Sequence, residues 1–117
     1  MNPAKPKKGA VLAAVETLPD PSARCLDFAD GEARYSLILV RSQGRITAFK
    51  NRCPHARYSL EKLDGGVILQ EGRFLVCAAH GASFRVADGA FCGGPGGGEG
   101  LTRLAVTLEG GRILMDE

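Results

Sequence analysis

Residues 34–50 read RYSLILVRSQGRITAFK, and their pattern decides the fold. Residues 34–41 are a β-branched and aliphatic run, and Ser42-Gln43-Gly44 is a turn signal. Residues 45–50 then alternate apolar and polar side chains, as a returning strand with one buried face does. Two such runs around a short glycine-containing turn make a hairpin. Towards the N-terminus, residues 24–28 read as a further strand that stops at Ala29-Asp30-Gly31, and residues 10–15 as a first strand. Residues 1–9, with Lys5, Lys7 and Lys8, are expected to form a mobile basic tail. Towards the C-terminus, Gly65-Gly66 introduces Val67-Ile68-Leu69, and Glu71-Gly72-Arg73 turns into Phe74-Leu75-Val76. Asp88-Gly89 separates residues 83–86 from Phe91, and residues 104–108 and 112–115 flank Glu109-Gly110-Gly111. A helix has room only as a short turn near Glu16 or over residues 59–63. Short strands at regular spacing give an all-β fold, an antiparallel sandwich or barrel.

The chain has 117 residues, 44% of them apolar and 24% charged, which is one domain's worth. With 16 glycines, 6% aromatics and no tryptophan, the core is modest, and a bound metal would supplement it. A formal charge of +2 lacks the basic excess of a nucleic-acid binder, so no nucleic-acid partner is expected. No apolar run approaches a membrane span. The early run over residues 10–15 stops at Glu16, and no small-residue cleavage site follows as it would after a signal peptide. The expected setting is the cytoplasm, away from the membrane, where cysteines more often bind metal or do chemistry than form structural disulfides.

The four cysteines therefore need individual explanation. The chain has two histidines, and each closely follows a cysteine, in Cys53-Pro54-His55 and in Cys77-Ala78-Ala79-His80. Chance would place both there roughly once in a hundred sequences of this composition, before any penalty for motif searching. The stretch between Cys53 and Cys77 accommodates a hairpin that would set the two loops side by side. Two metal chemistries fit such a donor set. One is a closed tetrahedral zinc site with two thiolates and two imidazoles. The other is a [2Fe–2S] cluster with two cysteines on one iron and two histidines on the other. Zinc fingers usually pair cysteine with cysteine and histidine with histidine ahead of a helix, whereas each loop here mixes the two.

These residues resemble the Rieske-type [2Fe–2S] proteins, in particular the small soluble Rieske ferredoxins. The resemblance runs from the hairpin over residues 37–49 through Asn51-Arg52-Cys53-Pro54-His55, Leu60 and Gly65-Gly66. It continues through Cys77-Ala78-Ala79-His80-Gly81, Phe84 and Gly94-Pro95 to the closing hairpin. It implies a single Rieske domain over residues 1–117, with a small cluster-binding subdomain of about residues 51–95 set into a β base. It also implies one [2Fe–2S] cluster per chain. Cys53 and Cys77 would ligate the inner iron and His55 and His80 the outer iron near the surface, with Gly94-Pro95 covering the cluster from a third side.

The first loop departs from the family's usual C-x-H-x-G, because Arg57 stands where the glycine would. Its backbone must tolerate that position, or its cation lies beside the cluster and meets an acidic partner. Respiratory Rieske proteins carry an extra cysteine in each loop and a Ser and a Tyr near the cluster. Here Ala78, Ala79, Ala82 and Phe84 occupy the second loop and its exit. Fewer donors to the sulfurs place the expected potential towards the low end of the Rieske range of roughly −150 to +300 mV. Cys25 and Cys92 are expected to be buried structural thiols.

The resemblance implies a one-electron carrier rather than an enzyme. Rieske oxygenases add a large domain with a mononuclear iron held by two histidines and a carboxylate, and this chain has no histidine to spare. No G-x-G-x-x-G opens a helix after a strand, so electrons must come from another protein. The expected partners are a flavin-containing reductase and a terminal oxygenase, and a monomer is expected. The alternatives are a Rieske-like small subunit of a nitrite-reductase-type complex and a zinc-stabilised interaction module.

Overall fold

The computed structural model describes residues 2–54, 59–62, 64, 66–95 and 98–117. Eleven strands in three antiparallel sheets build the described part of the chain. The central sheet has the order β2 (Ser22–Asp30), β3 (Ala33–Ser42), β4 (Arg45–Lys50) and β9 (Arg103–Leu104). On one side lies a three-stranded sheet of β1 (Val11–Ala14), β11 (Arg112–Met115) and β10 (Val106–Glu109). The third sheet runs β5 (Ile68–Gln70), β6 (Phe74–Val76), β7 (Ser83–Arg85) and β8 (Phe91–Gly93), all within the stretch read as a cluster-binding subdomain. The all-β antiparallel architecture matches the sequence expectation. The expected strand over residues 104–108 is divided between β9, which pairs with β4, and β10, which pairs with β11. Among the described residues the helical content is one 3-10 turn, Val15–Thr17, at the place expected near Glu16. No helix among them is long and apolar enough to cross a membrane.

The opening hairpin explains the whole arrangement. Side chains alternate across a strand, so a run of four consecutive apolar residues is accommodated only when both faces are covered. In β3, Leu37 and Leu39 join a core with Leu18, Tyr35, Ala48, Ile113 and Met115. Ile38 and Val40 point the other way, into a core with Phe49, Leu60, Leu75 and Phe84. Leu37, Ile38 and Leu39 are all fully buried, each worth about 1.5–3 kcal/mol of burial. Gln43 and Gly44 make the two-residue turn between β3 and β4 with φ of 53° and 75°. That sign is what the right-handed strand twist asks of such a turn. Asp20 accepts hydrogen bonds from both turn amides, at 2.9 and 2.8 Å, and holds it closed.

The N-terminal segment, expected as a mobile tail, lies against the base. Ala4 is buried, the Gly9 amide donates to the Met115 carbonyl at 2.7 Å, and the Lys5 ammonium pairs with Glu117 at 2.6 Å. Ala4, just ahead of the lysines, gives this segment an inward contact that charge counting overlooks.

Candidate metal centre

Two loops carry the predicted ligands, and both leave the central and third sheets at the same end. The first begins where β4 stops. Lys50 still donates its amide to Thr102, and Asn51 donates its amide to the Ser36 carbonyl at 3.0 Å. The chain then turns inward and buries Cys53 completely. The second begins at the end of β6. Cys77 donates its amide to the Ala82 carbonyl at 2.8 Å, and Gly81 donates to the Cys77 carbonyl at 2.8 Å, so residues 77–82 close into a tight turn before β7. Cys77 points inward at 1% exposure, while His80 sits on the exposed crest of the turn.

Cys53 and Cys77 belong to one apolar cluster, whose other members include Ile38, Phe49, Leu60 and Phe84. The loops are also joined through the backbone, because Ala78 donates its amide to the Leu60 carbonyl at 3.1 Å. The structure thus brings together the two predicted thiol ligands and sets the His80 imidazole at the surface of the same turn. His55 and Arg57 lie outside the described residues, so the fourth predicted ligand and the expected departure in the first loop do as well. Among the described residues no three of His, Cys, Asp and Glu are grouped for a metal ion.

The Gly94-Pro95 segment lies against the second loop. A Cβ on Gly94, whose φ is +86°, would meet the Gly81 carbonyl oxygen at 2.7 Å and the Ala82 Cα at 3.0 Å. Backbone packs on backbone there without side chains between.

The other two cysteines behave differently from the expectation and from each other. Cys92, expected to be buried, is exposed. Its neighbour Phe91 turns inward to pack edge-on against Phe84, with ring centroids 6.0 Å apart, so strand alternation sends Cys92 outward. Cys25 is half-buried at the inner end of a polar network that sequence reading did not single out. Its thiol donates to Glu61 Oε2 at 2.7 Å, and Asn51 Nδ2 reaches Cys25 Sγ at 3.1 Å, Ser36 Oγ at 2.9 Å and Glu61 Oε2 at 2.9 Å. Burial first, and the Glu61 carboxylate second, push the Cys25 thiol up to about 12, so it stays protonated. The available sequence signal was an asparagine directly after an apolar strand and just before a candidate ligand.

A cavity of about 320 Å³, bordered by Gln43, Arg45, Arg73, Phe74 and Arg85, lies at the opposite ends of β4, β6 and β7 from the cysteines. It takes no part in this centre.

The donor set fits an iron–sulfur group. Two soft thiols sit in an apolar wall that keeps water off them, an imidazole is exposed on the same turn as one of them, and the bare backbone of Gly94 lies close by. Residues 10–104 match the Rieske [2Fe–2S] domain family. This chain belongs to that family. It is 31% identical over 102 residues to the ferredoxin component of an alkene monooxygenase system from Xanthobacter autotrophicus, covering 76% of this chain and 73% of that one. Among solved structures it resembles a ferredoxin of Sphingomonas yanoikuyae B1, with a TM-score of 0.70 and 25% identity, over 93% of this chain and 98% of that one. The fold is also that of the ferredoxin of carbazole 1,9a-dioxygenase from Nocardioides aromaticivorans IC177. There the TM-score is 0.74 at 21% identity, over 94% of this chain and 98% of that one. The Rieske chain is an electron-transfer component of the ferredoxin kind and not itself a catalytic enzyme.

Proposed function

We propose that this chain holds one [2Fe–2S] cluster and carries single electrons from a flavin-containing reductase to a terminal oxygenase. Cys53 and Cys77 would hold the inner iron, and His55 and His80 the outer iron. The observation that carries this reading is the shared burial of Cys53 and Cys77 beside an exposed His80. When bound, such a cluster takes up and releases one electron. The chain's own residues supply the rest. The wall around Ile38, Phe49, Leu60 and Phe84 excludes water from the thiol side. The outward His80 shortens the distance to a docked partner, which contacts the protein at that crest. Relatives that are ferredoxin components of a monooxygenase and a dioxygenase support an oxygenase as the acceptor. The chain works as a monomer in the cytoplasm.

Metal and sulfide analysis with EPR of the reduced protein tests the reading. Two iron and two acid-labile sulfide per chain with a rhombic spectrum are expected. A colourless protein with a single zinc would overturn it.

A further inference from the structure

The buried carboxamide of Asn51 makes more contacts than loop closure alone requires. Its Oδ1 accepts the Leu60 amide at 2.8 Å, which ties together the two ends of the segment bearing Cys53 and His55. Its Nδ2 points the opposite way, into Ser36 Oγ, Cys25 Sγ and Glu61 Oε2. Ser36 and Cys25 belong to β3 and β2 of the base. Leu60 continues the chain of bonds through its other backbone group, since its carbonyl accepts the Ala78 amide beside Cys77. A single side chain therefore connects the central sheet to the first ligand loop and, through the backbone of one residue, Leu60, to the second. Asn51 is 6% exposed and its bond to the Leu60 amide is buried, so water does not compete there, while the bonds of Nδ2 are part-buried.

We propose that Asn51 is a positioning residue, which locks the first ligand loop shut against the base and sets it in register with the second loop, with Ser36, Cys25 and Glu61 as its anchors. The proposal rests on the cluster reading above. Asn51 acts by fixing where the first loop starts, just before Cys53, and where it ends, at Leu60. The Cys25 thiol, held protonated, completes the anchor by donating to the same Glu61 oxygen that accepts from Asn51.

The test is iron release to a chelator, with the EPR g-values of the reduced protein, for wild type, Asn51→Ala, Asn51→Asp and the exchange variant Asn51→Asp/Glu61→Gln. Removing an outer partner of a metal site typically costs about 10- to 100-fold in affinity. Asn51→Ala is expected to release iron faster by a factor in that range, with displaced g-values. Asn51→Asp keeps the Leu60 acceptor but faces Glu61 with like charge, and is also expected to release iron faster. The exchange variant restores an amide and a carboxylate across the same bond, and should recover most of the loss. A loss of general stability alone would leave the g-values of the loaded protein in place, so their displacement in Asn51→Ala and Asn51→Asp, and their return in the exchange variant, mark positioning. Release and g-values unchanged in Asn51→Ala, or an exchange variant no better than Asn51→Asp, would overturn the proposal. Should Asn51→Ala not fold, the comparison of Asn51→Asp with the exchange variant decides alone. If the wild type takes up no iron and sulfide on reconstitution, the cluster reading fails instead. Amide hydrogen exchange at Leu60 and Ala78 then judges the clamp: both protected in wild type and Leu60 released in Asn51→Ala supports it, and rapid exchange at Leu60 in wild type sinks it.

Discussion

The alpha carbon of Gly94 is set so closely over the second ligand loop that a methyl group there would stand 2.7 Å from the carbonyl oxygen of Gly81. With its φ at +86°, Gly94 also occupies backbone space that other residues enter at a cost. Gly94→Ala is therefore expected to lift the Gly94-Pro95 segment from the turn of residues 77–82. The strain is worth about 1–3 kcal/mol. Thermal unfolding should show the loss, and faster access of a chelator to the metal should accompany it. An unchanged melting temperature would contradict the contact.

His80 stands on an exposed crest while Cys77 is buried beneath it, so a change at position 80 should alter the metal centre more than the fold. The His80→Cys variant is expected to keep the melting behaviour of the apoprotein, and to retain iron poorly or shift its absorption towards an all-thiolate cluster. Identical visible and EPR spectra would remove His80 from the ligand set.

The second loop offers few donors to a sulfur. Ala78 and Ala79 have no side-chain hydroxyl, and the Ala82 and Phe84 side chains are buried apolar groups. Less hydrogen bonding stabilises the reduced cluster less, so voltammetry should place the midpoint towards the lower part of the range of about −150 to +300 mV known for Rieske centres. A midpoint near the top would mean that donors other than these side chains dominate.

Phe49 joins the base to the metal end. It is fully buried, and the face of Gly89 leaves no room beside it, since a Cβ there would lie 2.8 Å from Phe49 Cε1. Phe49→Ala should cost about 3–5 kcal/mol in chemical denaturation. A loss below 1 kcal/mol would show that the cavity collapses or that the ring is not packed in solution.

Cys25 and Cys92 should part company in alkaline solution. The folded state raises the Cys25 thiol from its ordinary value to about 12. Below the unfolded value near 9 the protonated thiol's contribution is fully present. As pH rises from there towards 12 the unfolded chain ionises first, so stability falls across that window. Denaturant midpoints should decline over this range less in Cys25→Ser than in wild type. With iodoacetamide at pH 8.5, mass spectrometry should find Cys92 modified before Cys25. Equal labelling rates would contradict the burial and the bond to Glu61.

Much of this was legible because strand patterns and ligand spacing are local properties. The run over residues 34–50 announced β3 and β4, and its unbroken apolar stretch corresponds to burial on two faces. Cys53 and Cys77 stood out from their neighbouring residues alone, and the structure buries both in one apolar cluster. Cys92 was misjudged because its orientation depends on Phe91 finding Phe84 across a strand pair, and no single-strand pattern carries that. The tail was misjudged because its lysines hid an apolar contact through Ala4. Asn51 was part of the resemblance but received no role of its own, because its partners, Ser36, Cys25 and Glu61, come from three separate stretches and meet only after folding.

β3 faces two interiors at once, with Leu37 and Leu39 on one side and Ile38 and Val40 on the other. A residue gained or lost in the middle of that strand would swap the contents of both interiors from that point onward. Substitutions of similar size can be absorbed one layer at a time, but a change of length there strikes the support of the metal end and the closing hairpin together. Drift in this lineage should therefore spare the count of residues between Tyr35 and Ser42 even where their identities wander.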